Sequence, residues 1–303
     1  MGTLIGIGIV TGLGLGSMYA LISAGYTLIL ASSGVFNFAQ GSIVMAGALG
    51  AYGLSNEAGL PFPLTCLAVV VGGAVTGVIS ELLAVHPVAR SGQAHNLTEG
   101  TLVTTLGLGL AMNSAVALTF GLDTRPVPSY VSDSPITVLG VPIRPVYLVM
   151  MGAVIVFAVV METVLHRTRT GVVLRATVED AEGASLNGIS ILKVVLRSFA
   201  VAGAIAALAG ALVVPVTSAS PFLADQIALL GFAGMAIGGY GSFSGALVGG
   251  MVVGLLTGLL PIWVDPHLSK VIVYLVMVAF LLFRPRGLFG SAGQFGAARL
   301  RDV

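Results

Sequence analysis

Long apolar runs separated by short polar ones dominate the chain. A window of about 20 residues, the length that crosses a hydrocarbon core of about 30 Å, finds apolar segments near 4–30, 37–54, 63–84, 98–119, 146–165, 196–215 and 270–283, with a long one over 226–262. An open segment in hydrocarbon satisfies its backbone polar groups only as a helix, so all are expected to be α-helical. The first 56 residues contain no Asp, Glu, Lys or Arg. As one helix they would run roughly 84 Å, far beyond one crossing. They must fold back, and the polar cluster in ILASSGVFNFAQGSIVMAG, Ile29 to Gly47, marks the break, with Gly34 and Gly41 as its glycines.

The linkers are short: SNEAGLPFP, VHPVARSGQAHN and a Pro-rich stretch from Gly121 to Pro145, with a single long charged loop from His166 to Arg197. Placing 85–97, 166–197 and the tail 284–303 on one side gathers Arg90, Arg167, Arg169, Arg175, Lys193, Arg197, Arg284, Arg286, Arg299 and Arg301, ten of the 13 cations. The other side keeps Arg125, Arg144 and Lys270. The positive-inside rule makes the richer side cytoplasmic. Parity then requires 226–262 to cross twice, or to dip in and return. Its centre, GGYGSFSG, holds Gly238, Gly239, Gly241 and Gly245, whose backbone freedom permits a turn. The expected fold is an all-α polytopic bundle of about nine spans (8–10), a single domain over 1–303, with the N-terminus outside and the C-terminus inside. The two broken regions, 31–41 and 238–245, each set a Gly-containing break with an aromatic between apolar helices, a similarity that points to an inverted repeat.

Composition agrees. Hydrophobic residues make up 56% and charged residues 8% of the 303, against about 25% charged in soluble domains, and mean hydropathy is +1.05. The N-terminal apolar run has no basic region before it and exceeds the roughly 7–15 residues of a signal core, so it reads as a retained span. A net charge of +1 gives no footprint for nucleic acid. One cysteine, Cys66, excludes an internal disulfide. Glycines four apart, such as Gly12 and Gly16, Gly73 and Gly77, or Gly250 and Gly254, read as faces for close helix packing.

Several function classes drop out. There is no GxxxxGK[ST] element, so ATP is not bound here in the P-loop manner. His86, His95, His166 and His267 lack metal spacing, and no Ser/His/Asp grouping sits on a suitable turn, so neither metal, cofactor nor enzyme activity is expected. Ion-coupled carriers keep ionisable groups deep in the membrane; here Glu81 and Glu162 fall near predicted cytoplasmic ends and Asp225 at the outer rim. The energy source therefore belongs to another chain. In the charged loop, Thr177 and Asp180 have the spacing of a helix start, Arg175 and Glu179 are four apart, Ala181 to Leu186 favours helix and Gly188 can close it. A short amphipathic helix and a solvated connector both remain open readings.

The stretches GSMYALISAGYTLILASSGVFNFAQGSIVMAGA (16–48), TLVTTLGLGLAMNSAVALTFG (101–121), RTRTGVVLRATVEDAEGASLNGISI (167–191) and AIGGYGSFSGALVGG (236–250) resemble the permease subunits of branched-chain amino-acid ABC importers, of the leucine, isoleucine and valine type. The resemblance covers nearly the whole chain. It implies an inner-membrane subunit that pairs with a second related permease, docks two cytoplasmic ATP-binding subunits, which hold the ATP, and receives substrate from an extracytoplasmic binding protein, with lipid around it. The loop 166–197 would be the coupling segment: EGASLNG, Glu182 to Gly188, is similar to the EAA-x-x-x-G signature of importer permeases, with Gly183 in place of its first Ala and Ala184 retained. Arg175, Glu179, Asp180, Glu182, Ala184 and Gly188 are its candidate ATPase-coupling residues. Gln40 stands where relatives commonly carry His, and urea and short-chain amide permeases share the architecture, so these remain the alternative substrates; a self-sufficient channel or ion-coupled carrier is the alternative class. Asn37, Gln40, Thr105, Asn113 and Ser242 are the candidate pathway residues, each with a competing role in holding helices together.

Overall fold

The computed structural model describes residues 1–90, 97–138, 140–284 and 287–290. His95, Arg286, Arg299 and Arg301 lie outside the described residues. The chain forms α1 (Gly2–Ser33); α2 (Gln40–Tyr52), prolonged by a π turn Gly53–Glu57; α3 (Phe62–Ser80), continuing through a π turn Glu81–Val85 into α4 (His86–Arg90); α5 (Leu97–Phe120); α6 (Pro145–Arg167); α7 (Arg169–Glu179); α8 (Ala181–Leu186); α9 (Ile191–Thr217); α10 (Leu223–Gly238); α11 (Phe243–Leu259), ending in a 3-10 turn Leu260–Ile262; and α12 (Pro266–Phe283). Each of the apolar segments read from the sequence is a helix, and 226–262 is split in two.

The segments differ in length. Six stretches among the described residues are long and apolar enough to cross a membrane: Gly2–Ser33, Phe62–Arg90, Thr98–Phe120, Pro145–Arg167, Ile191–Thr217 and Phe243–Ile262. α2, α10 and the apolar part of α12 are shorter. α2, with 13 residues, rises only about 20 Å. Prolines open α3 and α6 within their first turns, where no hydrogen-bonded N–H is lost.

Glycine sets the packing. α1 lies along α11, and a Cβ added at Gly254 would fall on the backbone of Gly16 and Gly12, so the two helices touch main chain to main chain. α3 meets α9 in the same way, Gly73 and Gly77 facing Gly203, Ala207 and Phe199. Met18, Leu21, Ile22, Met45, Met150 and Phe199 fill the interior without exposure. Val156 and Val159 of α6 and Leu110 of α5 stay more than 60% exposed. In water such faces would be costly; facing acyl chains they are not.

The connectors sort to two ends. At one, Arg125 exchanges backbone hydrogen bonds with Ala219 (2.8 and 2.9 Å) and its guanidinium lies 3.3 Å from Glu57. Phe62 stacks on Tyr130, ring centroids 4.0 Å apart. At the other, Val35, Val85, Ala184 and Ile191 share one apolar cluster. The bundle is all-α as expected, and the Pro-rich connector adds a short antiparallel hairpin, β1 (Ile136–Val138) and β2 (Val141–Ile143), with Ile136 opposite Ile143. Three-residue strands around Gly140 are too short for a 20-residue window to register.

Candidate substrate pathway and coupling segment

α1 ends where Gly34 adopts φ +74° and donates its N–H to Leu30. Only glycine takes that left-handed angle without strain. Gly34 to Ala39 then run without helical pairing, yet several of their N–H groups are met by side chains. Ser33 Oγ accepts from Val35 at 3.4 Å. Thr105 Oγ1 accepts from Phe38 at 3.3 Å, and Asn37 Oδ1 accepts from Ala39 at 3.1 Å. Gln40 N–H donates to the Asn37 carbonyl at 3.2 Å. The serine, asparagine and threonine are what make an irregular stretch tolerable inside a bundle.

The break is recessed. Gln40 Nε2 donates to the Ala202 carbonyl at 3.0 Å, and Ala202 lies close to the midpoint of α9, which spans Ile191–Thr217. Ser42 Oγ donates to the Gly109 carbonyl at 3.1 Å, near the midpoint of α5. α2 therefore starts around the middle of its neighbours instead of at their ends. Gly41 faces Ala224 and Ala228 at the beginning of α10, so the two short helices start against each other.

The second break lies close by. Gly238 ends α10, Gly239 (φ +114°) and Gly241 (φ +78°) form the turn, and Ser242 caps α11 by accepting from Gly245 N–H at 3.1 Å. Gly238 and Gly245 face each other across α10 and α11, and Gly41 and Gly245 sit in first helical turns; these three provide close approach, while Gly34, Gly239 and Gly241 carry the positive φ of the breaks. Phe36 joins the two regions, its ring centroid 6.0 Å from Tyr240 and 5.7 Å from Phe232. Phe38 and Tyr26 also reach Phe232, at 6.1 and 6.2 Å.

Asn37, Gln40 and Thr105 thus come together around the first break, all with 0% exposure. Ser242 belongs to the second break and is half-buried. Asn113 stands on α5 about 12 Å beyond Thr105 along the axis and is not part of that group. Asn37 Nδ2, Gln40 Oε1 and Asn113 Oδ1 are buried with no partner among the described residues. Each such orphan costs about 1–3 kcal/mol unless a water or ligand meets it, so the polar groups here are under-used by the protein itself.

The charged loop folds as two helices. Thr168 Oγ1 caps α7 by accepting from Gly171 N–H at 3.2 Å, and Asp180 Oδ1 caps α8 by accepting from Gly183 N–H at 3.0 Å. Thr177, expected at the helix start, instead sits inside α7, buried, bonding back to the Val173 carbonyl at 2.9 Å. Gly188 (φ +80°) closes α8, its N–H on the Ser185 carbonyl. Ala184 is buried in the apolar cluster that also holds Val35 and Ile191, whereas Glu179, Asp180, Glu182 and Arg175 are exposed. Arg175 Nη1 lies 3.5 Å from His166 Nδ1, and no ion pair joins it to Glu179 among the described residues. The helix pair packs on α6, α9 and the end of α1 while presenting charge outward.

Glu81 stands at the end of α3 and is buried by the protein. It is 2% exposed, in the π turn after α3, with Oε1 3.6 Å from His86 Nδ1 and Oε2 unpartnered. Glu162 is exposed and 3.3 Å from His166. Glu81 continues the four-residue spacing of the buried α3 positions Thr65, Val69, Gly73 and Gly77, so the helix carries it inward before the π turn begins. Among the described residues no group of three or more His, Cys, Asp or Glu side chains could hold a metal.

Sequence reasoning missed Gly25, Ser23 and Ser42. A Cβ at Gly25 would stand 2.6 Å from Gln40 Nε2, so that glycine makes room for the amide. Ser23 Oγ reaches the Gly231 carbonyl at 2.7 Å as well as its own helix at Tyr19. Serines in apolar helices usually bond back to the preceding turn, which leaves no sequence mark for those that also bond across.

The family model for the permease component of branched-chain amino acid transport systems matches residues 8–281. The chain belongs to this family. LivH of Escherichia coli (strain K12), a high-affinity branched-chain amino acid transport system permease protein, is 26% identical over 299 residues, covering 92% of this chain and 93% of its own. The probable branched-chain amino acid transport permease protein LivH of Methanocaldococcus jannaschii is 28% identical over 282 residues, covering 90% and 89%. The ribose import permease protein RbsC of Haemophilus influenzae is 29% identical over 253 residues, covering 80% of this chain and 74% of its own. No solved structure matches the chain. This permease component is thus a multi-pass membrane protein of a transport system, not a member of an enzyme family.

Proposed function

We propose that this permease component translocates branched-chain, hydrophobic amino acids across the inner membrane as one subunit of an ABC importer. ATP is hydrolysed by separate ATP-binding subunits, and the N-terminus faces outside and the C-terminus the cytoplasm. The observation that carries the reading is the family membership over residues 8–281, together with a pathway of matching polarity. Around the first break stand three uncharged polar residues, Asn37, Gln40 and Thr105, beside Phe36, Phe38, Phe232 and Tyr240. An aldopentose brings several hydroxyls, each needing a partner once dehydrated. A branched side chain finds apolar partners in those rings, while its α-ammonium and α-carboxylate, costlier to dehydrate than hydroxyls, call on Asn37, Gln40, Thr105 and water; the family membership is what favours an amino acid over the ribose named for one relative. Low polarity also suits rapid passage, affinity residing in an external binding protein.

In this reading α7 and α8 are the coupling segment, with Arg175, Glu179, Asp180, Glu182, Ala184 and Gly188 meeting or shaping the contact with the ATPase. Ala184 and Val35 belong to one apolar cluster, and movement of α8 would be passed to the first break through that cluster. Asn113 and Ser242 serve the path above and beside that break. The second homologous permease completes the translocation channel. The test is reconstitution of the full complex with its cognate binding protein and measurement of ATP-dependent uptake of leucine, isoleucine, valine, urea, short amides and ribose. Leucine-class uptake alone supports the proposal. Uptake of urea or ribose without leucine replaces the substrate, and uptake by the isolated chain without ATPases removes the importer reading altogether.

A further inference from the structure

A groove of about 280 Å³ lies between α1, α6, α7 and α9, and Phe157 in its wall lies 5.7 Å, centroid to centroid, from Phe243 at the edge of the second break. Phe157, Val160, Leu165, Leu174, Val194 and Val201 line it, and Arg197 is its one charged side chain. Val160 and Val201 at its rim are 53% and 41% exposed. Such a rim is stable only against hydrocarbon or another apolar surface.

Position and charge decide between those two. The groove follows the last turns of α6, and that helix ends in His166 and Arg167, so it opens where hydrocarbon gives way to headgroups. Its roof is fixed in place: a Cβ at Gly171 would fall on the carbonyls of Val164 and Leu165, so glycine allows α7 to fold back across the end of α6. Arg197 has no ion-pair partner among the described residues, and Arg167 and Arg169 are exposed at the α6–α7 junction. The neighbouring acid, Glu162, lies against His166 at 3.3 Å. The mouth is therefore net positive above an apolar slot. An acyl chain is narrow enough to lie along the slot, and the positive charge at its mouth complements an anionic headgroup.

We propose that this groove is a binding site for an anionic phospholipid, one acyl chain lying along Phe157, Val160 and Val201 and the phosphate on Arg197. Basic pockets between membrane helices attract anionic headgroups at about 1 kcal/mol per basic residue, a factor of about five in affinity. The chemistry uses no residue of the two breaks.

The test is native mass spectrometry of the full chain in mild detergent, titrated with phosphatidylglycerol and phosphatidylcholine of identical acyl chains. The wild type should retain phosphatidylglycerol preferentially. Arg197→Gln should lower that preference about fivefold, and Val201→Trp, which fills the slot, should lower retention of both lipids. Both positions are exposed, so neither change threatens folding. A photo-crosslinking residue at position 201 in native membranes should label phospholipid. Equal retention of both lipids by the wild type, an unchanged preference in Arg197→Gln, unchanged retention in Val201→Trp, or crosslinking to a protein instead of lipid would each overturn the assignment.

Discussion

Phe36 and Tyr240 stand edge to face, their ring centroids 6.0 Å apart at 72°, one from each helix break. No other aromatic contact joins the two breaks directly among the described residues; Phe232 bridges from the side. Aromatic pairs of this kind contribute about 0.5–1.5 kcal/mol beyond burial, enough to bias a closed arrangement without locking it. Tyr240→Ala should therefore loosen the floor of the pathway, and Tyr240→Phe should keep it. In a Cys66→Ala background with Ser42→Cys as reporter, buried in the wild type, thiol-labelling rates should rise several-fold in Tyr240→Ala only. Equal rates in all three proteins would mean the pair does not hold the closed state.

Gln40 separates substrate contact from helix pinning. Its amide donates to Ala202 at 3.0 Å while its oxygen has no partner. Gln40→Leu deletes one net hydrogen bond, worth about 1 kcal/mol, and also an orphan acceptor costing a similar amount. Melting temperature should thus change little. If the amide meets substrate, transport by the assembled complex should fall at least tenfold in the same variant, and Gln40→Glu should fail through a buried charge. Unchanged uptake in a stable Gln40→Leu protein would leave the residue a helix pin.

Much of the architecture is legible in the chain because hydrocarbon imposes one rule, satisfaction of the backbone within helices, and hydropathy reports it. Gly34 and Gly239 also announce themselves, since a glycine amid polar residues between apolar runs is where a positive φ is least costly. The depth of the first break is not legible. It follows from Gln40 reaching Ala202 and Ser42 reaching Gly109, contacts 162 and 67 residues apart in sequence. Glu81 is partly legible: it continues the four-residue spacing of Thr65, Val69, Gly73 and Gly77 on the buried side of α3, while its approach to His86 depends on the π turn that follows. Thr177 looked like a cap because its spacing to Asp180 is right, but the cap belongs to Asp180 itself.

Asp180 therefore carries a prediction about the coupling segment. Its carboxylate accepts from Gly183 N–H at 3.0 Å and starts α8. Loss of an N-cap costs about 1 kcal/mol, a large share of what holds a six-residue helix. Asp180→Ala should reduce ATPase stimulation by substrate-loaded binding protein several-fold while membrane insertion is normal. Asp180→Ser, which caps equally well without charge, should restore it. Failure of both variants alike would assign Asp180 an electrostatic contact with the ATPase in place of a capping role.

Glu81 discriminates the importer from an ion-coupled carrier. A carboxyl with 2% exposure, one oxygen 3.6 Å from His86 and the other unpartnered, is the kind of group that proton-coupled carriers use. It is equally a structural pair held in a π turn. In the structural case Glu81→Gln keeps the shape and removes a desolvated acid, so stability should hold or rise, and uptake by the complex should persist. His86→Leu alone leaves the acid without its neighbour and should destabilise by about 1–3 kcal/mol, a loss that adding Glu81→Gln should largely recover, because partners in contact are non-additive. Thermal melts of the two single variants and the double variant measure that coupling. Abolished uptake in a stably folded Glu81→Gln protein, with ATPase activity intact, would instead show that protonation at this site is part of the transport cycle.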